Sequence, residues 1–231
     1  MKTQINKLLN RFGYQLTRRN GIPLNAGMLD KFRFFSSLFG FIRNIDGDVV
    51  ECGIGFGHSL FLLSYLSLVE DKGRIVRGFD SFEGFPEPSK EDQSKRNPQK
   101  GEWKVITPEE LIDVFVRRSG LLAYNRLVIT PGFFEQTLPK ADVVEIAFLH
   151  LDVDLYQSYK TCLENLYSKV VHGGVIVFDE YRQQQDVWPG AVKAIDEFFS
   201  DKNERIEYSE AFDRYFLFKR ASSPVVRTAS S

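Results

Sequence analysis

From residue 48 onward the chain alternates short apolar runs with longer stretches whose apolar positions recur at helical spacing. Residues 49–53 read as a strand, 58–69 as a helix and 74–80 as the next strand. Thr107-Pro108-Glu109-Glu110 has the form of a capping box with proline in the first turn, predicting a helix to about residue 118. Strands follow at 126–130 and 146–152, then a helix over 156–170 and a continuous apolar strand over 175–178. A helix from 189 to 199 precedes two short segments, 205–208 and 215–218, that suit an antiparallel pair. This order predicts an α/β fold, a mostly parallel seven-stranded sheet with helices on both faces.

Before the alternation begins, residues 28–43 form an aromatic-rich helical segment. Residues 1–20 place Lys2, Lys7, Arg11, Arg18 and Arg19 among Ile5, Leu8, Leu9, Phe12 and Leu16. That pattern suits a basic amphipathic helix, used either in ordinary packing or in weak peripheral contact with a membrane or partner. The organisation expected is a helical segment over 1–45, one domain over 46–220 and a disordered tail over 221–231. Residues 82–105, rich in proline, lysine and acids, are too long for an ordinary connection and read as a lid or a disordered insertion.

Composition narrows the function classes. A net charge of −1 gives no bulk attraction to nucleic acid. The most apolar stretch, residues 32–42, contains Arg33 and falls well short of the ~20 residues a membrane span needs. With no secretory signal and only Cys52 and Cys162, both in apolar surroundings, two buried free thiols in a reducing cytoplasm are expected.

Candidate chemistry lies where strands hand over to loops, the rim at which open α/β sheets bind ligands. Gly53, Gly55 and Gly57 follow the strand ending Glu51-Cys52 and lead into a helix. Such a turn brings backbone N–H groups to a nucleotide-like ligand, although it also packs helices on sheets without one. Asp80, ending the next strand, can accept bonds from both ribose hydroxyls of an adenosine, or serve a turn. The spacing is G-x-G-x-G rather than the dinucleotide G-x-G-x-x-G, which favours a phosphate-free methyl donor over a nicotinamide cofactor. Asp152, Asp179 and Glu180 end two further strands and can converge on one rim, where oxygen ligands favour Mg²⁺, Mn²⁺ or Ca²⁺. The alternative is that some of these acids cap helices, Asp154 foremost. His150 alternates with Asp152 on its strand and is a second candidate for catalysis, against the commoner structural role of a lone strand histidine.

With these residues assembled, the chain resembles the macrocin-type (TylF/MycF-like) O-methyltransferases, which methylate sugar hydroxyls on antibiotics and related glycosides. The motifs that carry the resemblance are VVECGIGFG, FDSFEGFPEP, GFFEQTLP, LHLDVDLYQS, VIVFDEY and WPGAVKAIDEFF, spanning residues 48–199. It implies a Rossmann-like class I methyltransferase domain with Glu51, Gly53, Gly57, Asp80 and Ser81 around S-adenosylmethionine. It also implies Asp152, Asp179 and Glu180 as ligands of a Mg²⁺ that chelates adjacent hydroxyls of a sugar acceptor. The family commonly has two aspartates where this chain has Asp179-Glu180, and bulky or basic residues at Gly55 and Phe56. Asp152 is the expected base or positioner of the nucleophile. Rival readings are a phenolic or other small acceptor, a nicotinamide-dependent oxidoreductase, and a non-catalytic protein that keeps a nucleotide fold. A homo-oligomer is compatible with any of them.

Overall fold

The computed structural model describes residues 25–113, 115 and 126–220. The expectations for residues 1–20, for the helix beyond 115 and for the tail lie outside the described residues.

The first helix, α1 (Ala26–Ile42), is started by Asn25, whose side chain accepts the Met28 N–H at 2.9 Å. Its buried residues Met28, Phe34, Phe35, Leu38, Phe39 and Ile42 form one apolar stripe. After it come β1 (Asp48–Cys52), α2 (His58–Glu70), β2 (Val76–Asp80), α3 (Pro108–Asp113) and β3 (Leu127–Pro131). A short α4 (Phe134–Thr137) is followed by β4 (Ile146–Leu151), α5 (Tyr156–Leu166), β5 (Val170–Phe178), α6 (Pro189–Phe199), β6 (Glu207–Ser209) and β7 (Arg214–Phe218).

The seven strands lie in the order β3-β2-β1-β4-β5-β7-β6, parallel except for β7, which runs antiparallel to both β5 and β6. One apolar layer packs α5 and α6 on one face, and a second packs α1 and α2 on the other. All six residues of β4 are buried, because this central strand is covered on both sides.

Two elements differ from expectation. The helix of α5 gives way at Leu166 to a tighter turn over Tyr167–Lys169, and β5 begins at Val170 rather than 175. His172-Gly173-Gly174 reads as a loop in isolation, but Gly173 and Gly174 exchange backbone bonds with Lys219 just beyond β7. Pairing with chain distant in sequence, just past β7, therefore extends the element.

Residues 82–105 follow a defined path across the carboxyl edge of the sheet. Asp92 anchors them: its Oδ1 accepts the Tyr156 N–H at 2.8 Å, and its Oδ2 accepts from the Ser89 N–H and hydroxyl. Asp92, not Asp154, thus serves the start of α5: the N-cap position falls on Leu155, which makes no side-chain cap bond, and Asp154 lies one residue before it with φ 58°. Gly190 in α6 allows the close approach, since a Cβ there would lie 2.0 Å from Asp92 Oδ1. The segment is also held by Ser94 on the Val187 carbonyl and by Phe85 and Arg96 against Trp188. Asp92→Ala is expected to lower stability by about 1–2 kcal/mol, the usual worth of a helix cap. A melting temperature unchanged from wild type would remove Asp92 as the anchor.

Candidate active site

The register of the sheet assembles the site. Cys52 pairs with Leu151, and Leu151 with Phe178, so the residues just past them share one edge. The backbone bonds continue one step further: Gly53 donates to Phe79, Asp152 to Cys52 and Asp179 to Leu151. Gly53, Asp152 and Asp179 therefore stand side by side where β1, β4 and β5 end. An open cavity of about 580 Å³ lies above them, within the usual range for small-molecule sites. Its wall includes Gly53, Gly55, Asp80 and Ser81 at one end and Asp152, Asp179 and Glu180 at the other.

The glycine turn is fixed by crowding and by Asp80. A Cβ at Gly53 would lie 1.7 Å from the Asp152 carbonyl oxygen, whereas one at Gly55 would meet nothing within 4 Å. Asp80 Oδ2 accepts the N–H groups of Ile54 (2.8 Å) and Gly55 (3.2 Å), and Oδ1 accepts that of Phe82 (2.7 Å). A carboxylate has about four lone-pair directions, so three are already committed to shaping the turn. Asp80 thus performs the turn role, with one direction left for a ligand. Ser81 bonds the Gly84 carbonyl, tying the start of the insertion.

Two residues expected around the donor lie outside the cavity wall. Gly57 is the N-cap of α2, with φ 80°. Glu51 is fully buried, and its Oε1 lies 2.8 Å from His150 Nδ1. β1 and β4 run parallel in register at Glu51 and His150, so both side chains point to the same face, into the layer under α1. Burial raises the Glu51 carboxyl above its ordinary value. His150 Nε2 reaches toward Asp179 Oδ1 at 3.6 Å, too long for a hydrogen bond. Burial opposes protonation of this imidazole, but Asp179 and Glu51 outweigh it and raise its pKa. His150 therefore sits behind the acid rim rather than in the cavity.

The acid rim includes cations that its motifs do not announce. Lys31, from α1, places Nζ 2.9 Å from Asp179 Oδ1 and 3.6 Å from Asp152 Oδ2. Arg214, from β7, reaches the same Asp179 oxygen at 2.9 Å. Burial would raise the Asp179 carboxyl, but Lys31, His150 and Arg214 hold it well below its ordinary value. Asp152, Asp154 and Glu180 behave oppositely: burial first, then their acidic neighbours, pushes all three upward. Glu180 Oε2 accepts from the Tyr159 hydroxyl (2.9 Å) and the Asp154 N–H (3.2 Å).

Part of this arrangement has the spacing of a divalent-cation site. Single ligand atoms of His150, Asp152 and Asp179 lie within 4.8 Å of one another. Asp152, Asp154, Asp179 and Glu180 gather beside Lys31 and Arg214, an acid-rich group at one rim. The contacts of Lys31, Arg214 and His150 all fall on Asp179 Oδ1, and those of Tyr159 and the Asp154 N–H on Glu180 Oε2. Each acid thus keeps a second oxygen that these partners do not engage. Asp152 and Asp179 offer oxygens suited to a hard ion, whereas Glu180, expected as the third ligand, is not a member of their cluster with His150.

A glycine turn, a strand-end acid and an acid rim on this strand order define a Rossmann-like class I methyltransferase fold. Solved structures share it: the O-methyltransferase NovP superposes with a TM-score of 0.71 at 26% identity, covering 84% of this chain and 81% of its own. A calicheamicin methyltransferase gives 0.71 at 21% identity, covering 94% of this chain and 90% of its own. Residues 41–211 match the macrocin-O-methyltransferase (TylF) family, and the chain belongs to it. Among curated relatives, a demethyldecarbamoylnovobiocin O-methyltransferase from Streptomyces niveus is 31% identical over 161 residues, 68% of this chain and 59% of the relative. A Streptomyces olivaceus 8-demethyl-8-(2,3-dimethoxy-alpha-L-rhamnosyl)-tetracenomycin-C 4'-O-methyltransferase is 33% identical over 141 residues, covering 59% of this chain and 54% of the relative. The chain therefore spans somewhat over half the length of these curated relatives.

Proposed function

We propose that the chain transfers a methyl group from S-adenosylmethionine to a hydroxyl of a sugar or glycoside, assisted by Mg²⁺ or a similar divalent ion. The observation that carries this reading is the single cavity shared by the glycine turn and the acid rim, which sets a donor beside a group able to take a proton. The rhamnosyl group in the name of the tetracenomycin relative supports a sugar acceptor.

In the reaction the acceptor oxygen attacks the donor methyl carbon, the carbon–sulfur bond breaks, and the sulfonium leaves as a neutral thioether. The donor supplies its own leaving group, so the protein supplies alignment and proton removal. Asp152 is assigned as the acceptor of the hydroxyl proton, because it lines the cavity where the acid rim faces the glycine turn. Asp152, Asp179 and Glu180 would hold the divalent ion, which when bound makes a coordinated hydroxyl more acidic. Phe85, Trp103, Phe133 and Trp188 give the cavity apolar faces against which a sugar ring can lie. Residues 82–105, which contribute Phe85 and Trp103, act as the cover that keeps water out.

The test is transfer of labelled methyl from the donor to a panel of deoxysugar glycosides, with simple phenols as controls. Chelator is expected to lower the rate roughly a hundredfold, with recovery on adding Mg²⁺. Undiminished transfer in chelator would remove the ion from the reading, and preference for phenols would remove the sugar.

Among the described residues no helix is long and apolar enough to cross a membrane. Cys52 and Cys162 are both buried free thiols. Action on small acceptors in the cytoplasm, by a homo-oligomer, belongs to the same proposal.

A further inference from the structure

Lys31 stands out because of where its helix puts it. It lies three residues after Met28 and four before Phe35, on the stripe that continues through Leu38 and Ile42 into the core. A lysine on a buried stripe is costly unless its charge is used. Its ammonium has three N–H donors. Two are committed, to Asp179 Oδ1 at 2.9 Å and to Ser59 Oγ at 3.1 Å. The approach to Asp152, at 3.6 Å, is an ionic contact too long to be a hydrogen bond.

Ser59 sets the ammonium beside the glycine turn, with one donor still uncommitted. It is the second residue of α2, directly after the glycine turn, and α2 has no side-chain cap. The N–H groups of a helix's first turn have no partners within the helix, and they carry its positive end. Ser59, Lys31, Gly53, Gly55 and Asp80 all line the same cavity. A buried ammonium, a hydroxyl and the positive end of α2 thus meet on the cavity wall, and together they suit a carboxylate.

The proposed donor carries one, on its methionine moiety. We propose that Lys31, together with Ser59, binds the α-carboxylate of S-adenosylmethionine. Because the same ammonium holds Asp179, Lys31 also ties the donor to the acid rim and acts as a positioning residue for the transfer. The inference rests on the donor reading given above and is independent of the acceptor and of the divalent ion.

Calorimetric binding to the whole chain tests it with three compounds. These are S-adenosylhomocysteine, its decarboxylated analogue, which keeps the amine, and 5'-methylthioadenosine, which lacks the entire amino-acid end. In the wild type the carboxylate is expected to strengthen binding by roughly 10- to 100-fold over the decarboxylated analogue, the usual effect of a charged hydrogen bond. In Lys31→Met that gap is expected to close to within about threefold while 5'-methylthioadenosine binds as before, and Lys31→Arg should keep part of it. A gap that persists in Lys31→Met, or that is absent from the wild type, overturns the assignment. If Lys31→Met does not fold, the wild-type comparison decides. Failure of all three compounds to bind the wild type overturns the donor reading and the role of Lys31 with it, a result distinct from a gap that survives substitution.

Discussion

Asp152→Asn is expected to lower turnover by a factor on the order of a hundred to ten thousand, the range spanned by a positioned general base. Donor affinity should change far less. Asparagine matches aspartate in shape, so the backbone bond from Asp152 to Cys52 and the contact of its carbonyl with Gly53 are kept. What is lost is the cavity-lining carboxylate that would take the proton. The amide also removes one negative charge facing Lys31, a change expected to weaken any divalent ion and to leave the adenosine end untouched. The measurements are single-turnover methyl transfer and S-adenosylhomocysteine binding on the same preparation. Turnover within about threefold of wild type would take the base role from Asp152.

Gly53→Ala is expected to have the largest effect on the fold of the site. The new methyl group would be placed 1.7 Å from a backbone oxygen of the neighbouring strand, and the residue holds φ at 85°. Overpacking costs about 1–3 kcal/mol and a side chain forced into this backbone region about as much again, so a loss of roughly 3–5 kcal/mol is expected. Relief would require β1 and β4 to separate at their ends, which also moves Asp152. Gly55→Ala is the matched control. It too has a positive φ, 51°, but its methyl would enter open space, where only a bound donor would meet it. Gly53→Ala should therefore depress the melting temperature and donor binding together, and Gly55→Ala chiefly donor binding. Equal melting temperatures for the two variants would show that strand crowding does not set the turn.

The sequence made the parallel core and the rim legible for a physical reason. Strand-end acids and glycines are local signals: Asp80, Asp152 and Asp179 each follow an apolar run and precede a turn. What each side chain touches is a tertiary matter. Asp80 read as a ribose acceptor, yet three backbone N–H groups claim it first. Glu51 read as a donor contact, yet the alternation of β1 turns it onto His150. Arg214 reaches the rim because β7 pairs with β5, a long-range pairing that no nearby residues specify. Lys31 did leave a trace, as a charged residue at a core position of α1. That trace is visible only when the helix is read for exceptions to its apolar stripe. The early start of β5 was hidden by His172-Gly173-Gly174, whose strand character comes from Lys219.

The bond from the Tyr156 amide to Asp92 makes one backbone proton a reporter of a whole segment. An amide in the first turn of a helix ordinarily has no acceptor within that helix and exchanges readily with solvent deuterium. Here its acceptor belongs to residues 82–105, so its protection measures how much of the time that stretch stays docked. Comparing exchange at Tyr156 with and without S-adenosylhomocysteine, and then with a glycoside added, would order the closing of the cavity relative to the arrival of each ligand.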